Sequence, residues 1–123
     1  MNKLDIRDRS YNFALRIIKL TKKLPKNIAG DSLGRQLIRS GTSVGANVEE
    51  AQGGFSKKDF TYKMSIARKE ARESKFWLSL IKDTDLLSDP EVNQLIQEAE
   101  ELTKILTSIV KTSEESIKRT HHS

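Results

Sequence analysis

The chain has 123 residues, no cysteine and a formal net charge of +5. That is one domain's worth of sequence, long enough to bury a core without staples, and the missing cysteines exclude a disulfide framework and a thiolate zinc site. No apolar run reaches the length of a membrane span, and MNKLDIRDRS is charged throughout, unlike a signal peptide, so the expectation is a cytoplasmic protein with no membrane contact.

The charge is unevenly spread. Residues 1–82 hold 18 Lys/Arg against 8 Asp/Glu, and residues 83–123 hold 4 against 9. A basic body with an acidic end fits an anionic partner for one surface, head-to-tail docking between copies, or a mixed solvated surface. Punctuation is sparse. KKLPKN, GGFSKKD and DTDLLSDPE are three breaks between four segments, each with helical spacing of its apolar residues. The pattern predicts an all-α, antiparallel up-and-down four-helix bundle. It forms one domain over 1–113, with helices near 5–24, 32–52, 57–84 and 89–112 and a frayed tail over 114–123.

The first helix carries two apolar stripes. Phe13, Ile17, Leu20 and Leu24 form one; Tyr11, Ala14, Leu15 and Ile18 form the other. A monomeric bundle needs one stripe, so the second marks either a wide core face or a contact between chains.

The second helix, capped by Asp31 or Ser32, contains RSGTSVGANVEEAQGG, which holds four of the six glycines. A phosphate loop needs a preceding strand and a Lys after the glycines; no Lys follows Gly45 and no strand pattern precedes it. A linker would not keep Leu33, Leu37, Gly41, Val44, Val48 and Ala51 on one helical face. The remaining reading is a helix that carries interior glycines at about 1 kcal/mol each. Close approach of another helix at Gly34, Gly41 and Gly45 offsets that cost, and Gly53-Gly54 forms a left-handed end. Ser32, Gln36, Arg39, Ser43, Asn47 and Glu50 make the polar face. It is either solvated or a hydrogen-bond ladder to Glu70 and Glu73 of the third helix.

The third helix begins at Ser56, with Asp59 in its first turn. Phe60, Met64, Ala67, Ala71, Leu78 and Ile81 form its core stripe. Tyr62, Ile66, Phe76, Trp77 and Leu80 lie off it. Trp77 is either the edge of the core or an interface anchor, the favoured reading because aromatic anchors concentrate at interfaces. The fourth helix opens at Ser88 or Asp89 with Pro90 at its first position. Val92, Leu95, Ile96, Ala99, Leu102, Leu106, Ile109 and Val110 follow a heptad-like seam.

RQLIRSGTSVGANVEEA followed by FTYKMSIARKEARESKFWLSLI resembles the 23S rRNA intervening-sequence protein family, also called four-helix bundle proteins. The likeness runs from YNFALRIIKLTKKLP to the last heptads. It places the family's motif on Arg39, Ser43, Asn47, Glu50, Glu70 and Glu73. The resemblance implies an antiparallel four-helix bundle assembled into a homopentameric ring. It also implies kinship with the accessory protein of diversity-generating retroelements, which binds nucleic acid and a reverse transcriptase.

The function favoured by the sequence is a non-enzymatic, nucleic-acid-associated assembly module. The candidate phosphate contacts are Lys22, Lys23, Lys26, Lys57, Arg68, Lys69, Arg72 and Lys75. No aromatic is expected beside them, so sequence-specific RNA recognition is not. The alternative is a protein-binding scaffold or accessory subunit without nucleic-acid contact, for instance to a reverse transcriptase. No cofactor and no metal are expected. His121 and His122 lack a second ligand set, and Glu49, Glu50, Glu70 and Glu73 lack the Glu-x-x-His pair of helical metal bundles.

Overall fold

The computed structural model describes residues 5–122, apart from the side chains of His121 and His122. The described residues form four helices, α1 (Ile6–Thr21), α2 (Ile28–Ala51), α3 (Lys57–Asp83) and α4 (Pro90–His122). They pack as an all-α bundle in which α1 meets α2, α2 meets α3, α3 meets α4 and α4 meets α1.

Each helix starts where a short polar side chain takes up free N–H groups. Asp5 accepts from Arg7 and Asp8, Asn27 accepts from Gly30 at 2.8 Å, Ser56 accepts from Asp59 at 3.0 Å, and Asp89 accepts from Glu91 at 2.9 Å. Asn27 moves the start of α2 one turn earlier than the expected 32. The added turn holds exposed Ile28 and has no core periodicity to reveal it. Its Gly30 is irreplaceable in kind, because a Cβ there would fall on the carbonyl oxygen of Pro25. Gly54, at φ +75, turns the chain between α2 and α3. Asp85, at φ 55, does the same after α3. There the Asp85 and Leu86 N–H groups return to the carbonyls of Lys82 and Ile81, a Schellman ending in a position that favours glycine.

The expected frayed tail over 114–123 is corrected for residues 114–122, where α4 continues to His122, and Ser123 lies outside the described residues. Its last turns lie beside the first turns of α3, where Ser113 and Thr61 share a hydroxyl hydrogen bond and Lys57 Nζ donates to Ser116 Oγ. Glu114 and Lys118, and Glu115 and Arg119, also fall at the helix-stabilising i,i+4 spacing. Hydroxyl contacts leave no apolar periodicity, so the heptad pattern fades while the helix goes on.

Phe13, Ile17, Leu37, Val44, Met64, Leu78, Leu95, Leu102 and Leu106 fill the centre. Ser40 and Ser74 meet inside it at 2.9 Å and fix the register of α2 on α3. The α1–α4 seam is bridged by ion pairs: Arg9–Glu98 at 2.7 Å, Arg16–Glu91 at 2.8 Å and Lys23–Asp89 at 3.0 Å. The two stripes of α1 have different fates. Phe13, Ile17 and Leu20 are buried, whereas Tyr11 (64% exposed), Leu15 and Ile18 lie on the surface.

Candidate nucleic-acid interface

The eight candidate cations fall into three groups. Lys22, Lys23 and Lys26 surround the α1–α2 turn, at the end of the bundle opposite Lys57. Arg68, Lys69, Arg72 and Lys75 lie midway along α3. The structure therefore does not bring all eight together. Lys23 is tied to Asp89, and Lys75 is tied to Glu100 at 2.7 Å. That Lys75 hydrogen bond holds the Glu100 carboxyl below its ordinary range. Lys57 is spent on Ser116. Among the described residues no carboxylate pairs with Arg68, Lys69 or Arg72. Beside them Arg72, Lys75, Glu100, Thr103 and Lys104 line an open groove of about 430 Å³ between α3 and α4.

Glu70 and Glu73 do not cancel this strip, because they turn toward α2. Arg39 Nη1 donates to Glu70 at 3.2 Å and Arg39 Nη2 to Glu73. Burial opposes the Arg39 charge, but the two carboxylates outweigh it and raise its pKa. Trp77 Nε1–H donates to Glu73 at 3.1 Å, and the indole packs against the core. In the single chain Trp77 is therefore the edge of the core. Ser43 and Asn47 of the expected ladder return to α2 itself. Ser43 Oγ donates to the Arg39 carbonyl at 2.6 Å and Asn47 Nδ2 to the Ser43 carbonyl at 2.9 Å. Glu50 meets Lys63 at 3.5 Å on the surface. Arg39 itself is 46% exposed, so the ladder is neither buried nor continuous. Glu49 goes to Arg7. The four carboxylates are thus held by three different bases and do not converge as a metal cluster would.

The α2 glycines face α1. A Cβ on Gly41 would stand 2.9 Å from Ile17 Cγ1, and one on Gly45 would stand 3.3 Å from the Ser10 carbonyl oxygen. Gly34 is looser, meeting only Leu24 Cδ1 at 3.3 Å. Outside this seam Arg7, Tyr11, Ala14, Thr42, Gly45, Ala46 and Glu49 form a shallow groove of about 340 Å³. Leu15, Ile18 and Ile38 are exposed on the same two helices.

One expectation about the basic strip fails. Tyr62 is 62% exposed and Phe76 is 55% exposed, and each stands seven residues from Lys69. At about 100° per residue that spacing keeps all three within about 40° on α3. Aromatics therefore do flank the cations. The heptad spacing Tyr62–Lys69–Phe76 was the readable signal, and exposed Lys58 falls on the same line.

No helix among the described residues is long and apolar enough to cross a membrane. The family model for the 23S rRNA-intervening sequence protein matches residues 2–108. A crystal structure of a protein of unknown function from the S23 ribosomal protein family of Bacteroides thetaiotaomicron VPI-5482 is similar in fold. It has a TM-score of 0.77 and 35% identity, over 86% of this chain and 98% of that one. No curated protein matches the chain. With four helices in the right order and a family match across most of its length, the chain belongs to the 23S rRNA-intervening sequence protein family.

Proposed function

We propose that this protein is a non-enzymatic assembly module whose copies associate through their apolar surface and hold RNA or DNA backbone on the basic strip of α3. The observation that carries the reading is the strip itself. Arg68, Lys69 and Arg72 project from one helix without a carboxylate partner among the described residues, while nearby carboxylates are tied to other bases. Cations left free in a row suit a polyanion and need no base contacts.

Self-association has separate support. Tyr11, Leu15, Ile18 and Ile38 form an exposed apolar patch on α1 and α2, and patches of this kind on single chains are commonly covered by protein. The family resemblance favours a closed homopentamer. A ring repeats the strip and converts weak contacts into avidity.

Fluorescence anisotropy with a labelled oligonucleotide tests the binding. Three phosphate contacts on a single strand give a slope of about −2 in log K against log salt. Each strip therefore loses about twentyfold between roughly 50 and 200 mM salt. The triple variant Arg68→Glu, Lys69→Glu, Arg72→Glu should abolish binding while light scattering shows an unchanged mass. A correctly assembled wild type that binds nothing at low salt overturns the reading. The α1–α2 groove would then favour the alternative of an accessory subunit that docks a protein such as a reverse transcriptase.

A further inference from the structure

We infer that the α3 surface is a stacking platform for single-stranded RNA or DNA, with Tyr62 and Phe76 as the base-stacking residues and Lys58, Lys69 and Arg72 as the phosphate contacts. This rests on the reading of α3 as the nucleic-acid surface and specifies which form of nucleic acid it takes.

The geometry points to a single strand for three reasons. First, Tyr62 and Phe76 are the large exposed aromatics of α3, and neither ring is needed by the core. Second, they alternate with cations. Along one helical line the order is Lys58, Tyr62, Lys69, Phe76, with exposed Arg72 about 60° from Lys69 on the side of the α4 groove. Third, the scale fits. Fourteen residues separate the two rings, about 21 Å along the helix, a stretch that several consecutive nucleotides can follow. A duplex keeps its base faces stacked inside and presents phosphates and groove edges, so exposed rings would have no partner on it. An extended strand offers a π-face at every base and a phosphate between bases, the same alternation that α3 presents. Because every base has such a face, the platform is tolerant of sequence.

Phe76 also touches Trp77, with ring centroids 5.0 Å apart and an interplanar angle of 71°. Trp77 is the one tryptophan in the chain. A base stacked on Phe76 arrives beside it, which provides an intrinsic fluorescence signal that a phosphate-only contact would not produce.

The test compares the full-length wild type with Tyr62→Ala, Phe76→Ala and the double variant. The probes are a 20-nucleotide oligo-dT, an abasic strand of equal length and a blunt duplex. Both rings are exposed, so the variants should fold, and Tyr62→Phe should behave as wild type. Each alanine is expected to weaken oligo-dT binding about tenfold and leave duplex affinity unchanged. The salt slope should not move, since no charge is altered. The wild type should bind the abasic strand no better than the double variant binds oligo-dT, and only oligo-dT should quench Trp77. If the alanine variants bind every probe as the wild type does, the platform is wrong and the phosphate-binding reading stands. If they show a smaller mass by light scattering, the rings are subunit contacts and the platform is equally overturned. A wild type that binds none of the probes at low salt removes both.

Discussion

Gly41→Ala should destabilise the protein even though alanine is the better helix former. The added Cβ would lie 2.9 Å from Ile17 Cγ1, 3.0 Å from Cγ2 and 3.3 Å from Cβ. Carbon contacts settle near 3.5–4.0 Å, so α1 and α2 must part by roughly half an ångström or more. Ile17 cannot step aside: it is fully buried, and branching at Cβ leaves it one strongly preferred rotamer in a helix. Overpacking of this kind costs about 1–3 kcal/mol. The gain in helix propensity returns about 1 kcal/mol. The net loss is therefore about 1 kcal/mol. The sign should reverse when the obstruction is removed. In an Ile17→Ala background both Cγ atoms are gone, and Gly41→Ala should stabilise by about 1 kcal/mol. That coupling of about 2 kcal/mol is well above the additivity error for separate sites. Urea unfolding of the four proteins, at one fixed chain concentration because association shifts stability, measures the cycle. If Gly41→Ala matches or exceeds wild type, or has the same effect in both backgrounds, the close α1–α2 contact is not what requires glycine.

The other glycines should rank by what a Cβ would meet. Gly30→Ala drives into the Pro25 backbone and should cost more than Gly41→Ala. Gly34→Ala meets only the flexible end of Leu24 and should be neutral or stabilising by up to about 1 kcal/mol; the same urea titration reads both. Asp85→Gly relieves a side chain held at φ 55 and should raise the melting temperature by a gain of about 1 kcal/mol. The Arg16 hydrogen bond lowers the Glu91 pKa from its ordinary 4.5, so folding is favoured by its ionised form. That contribution is complete above pH 4.5 and is lost as pH falls through the depressed folded value. Glu91→Gln should therefore narrow the stability difference between pH 7 and acid. The pair is partly exposed, so the change is about 1 kcal/mol or less. An acid titration of wild type and variant that superimpose after a constant offset would refute it.

The four helices were legible because each break holds Pro or Gly and each segment repeats its apolar residues at helical spacing. What escaped had a physical reason in each case. The start of α2 rests on the Asn27 side chain, and the turn that it caps buries only Gly30. The end of α4 is held by Ser113 and Ser116, whose hydroxyls carry no hydropathy signal. The off-core residues of α3 form one group by their distance from the core stripe, and only the seven-residue repeat Tyr62–Lys69–Phe76 divides them. Phe76 and Trp77 are adjacent, yet Trp77 folds onto the core through Glu73 while Phe76 stands out in solvent. On the helix Trp77 follows Phe76 by about 100°, which turns the indole toward α2, where Glu73 accepts its N–H. The polar face of α2 was visible as a stripe, but a stripe does not show which members reach across. Arg39 has the length to meet α3, whereas Ser43 and Asn47 are short enough to return to their own backbone.

The charge asymmetry shows the same limit and also its use. An acidic end and a basic body were compatible with docking between copies, but the fold brings part of the two together within one chain. Asp89, Glu91 and Glu98 of the acidic end close the α1–α4 seam on Lys23, Arg16 and Arg9, pairs 66 to 89 residues apart in sequence. Glu100 takes Lys75 in the same way. These pairs subtract Lys23 and Lys75 from the candidate list, while among the described residues no carboxylate pairs with Lys58, Arg68, Lys69 or Arg72 of α3. Charge that is spent on structure cannot also bind a polyanion at full strength, so the useful quantity is not the net +5 but what remains after the seams are closed. Part of that remainder, Arg68, Lys69 and Arg72, lies together on α3, and Tyr62 and Phe76 stand along the same strip.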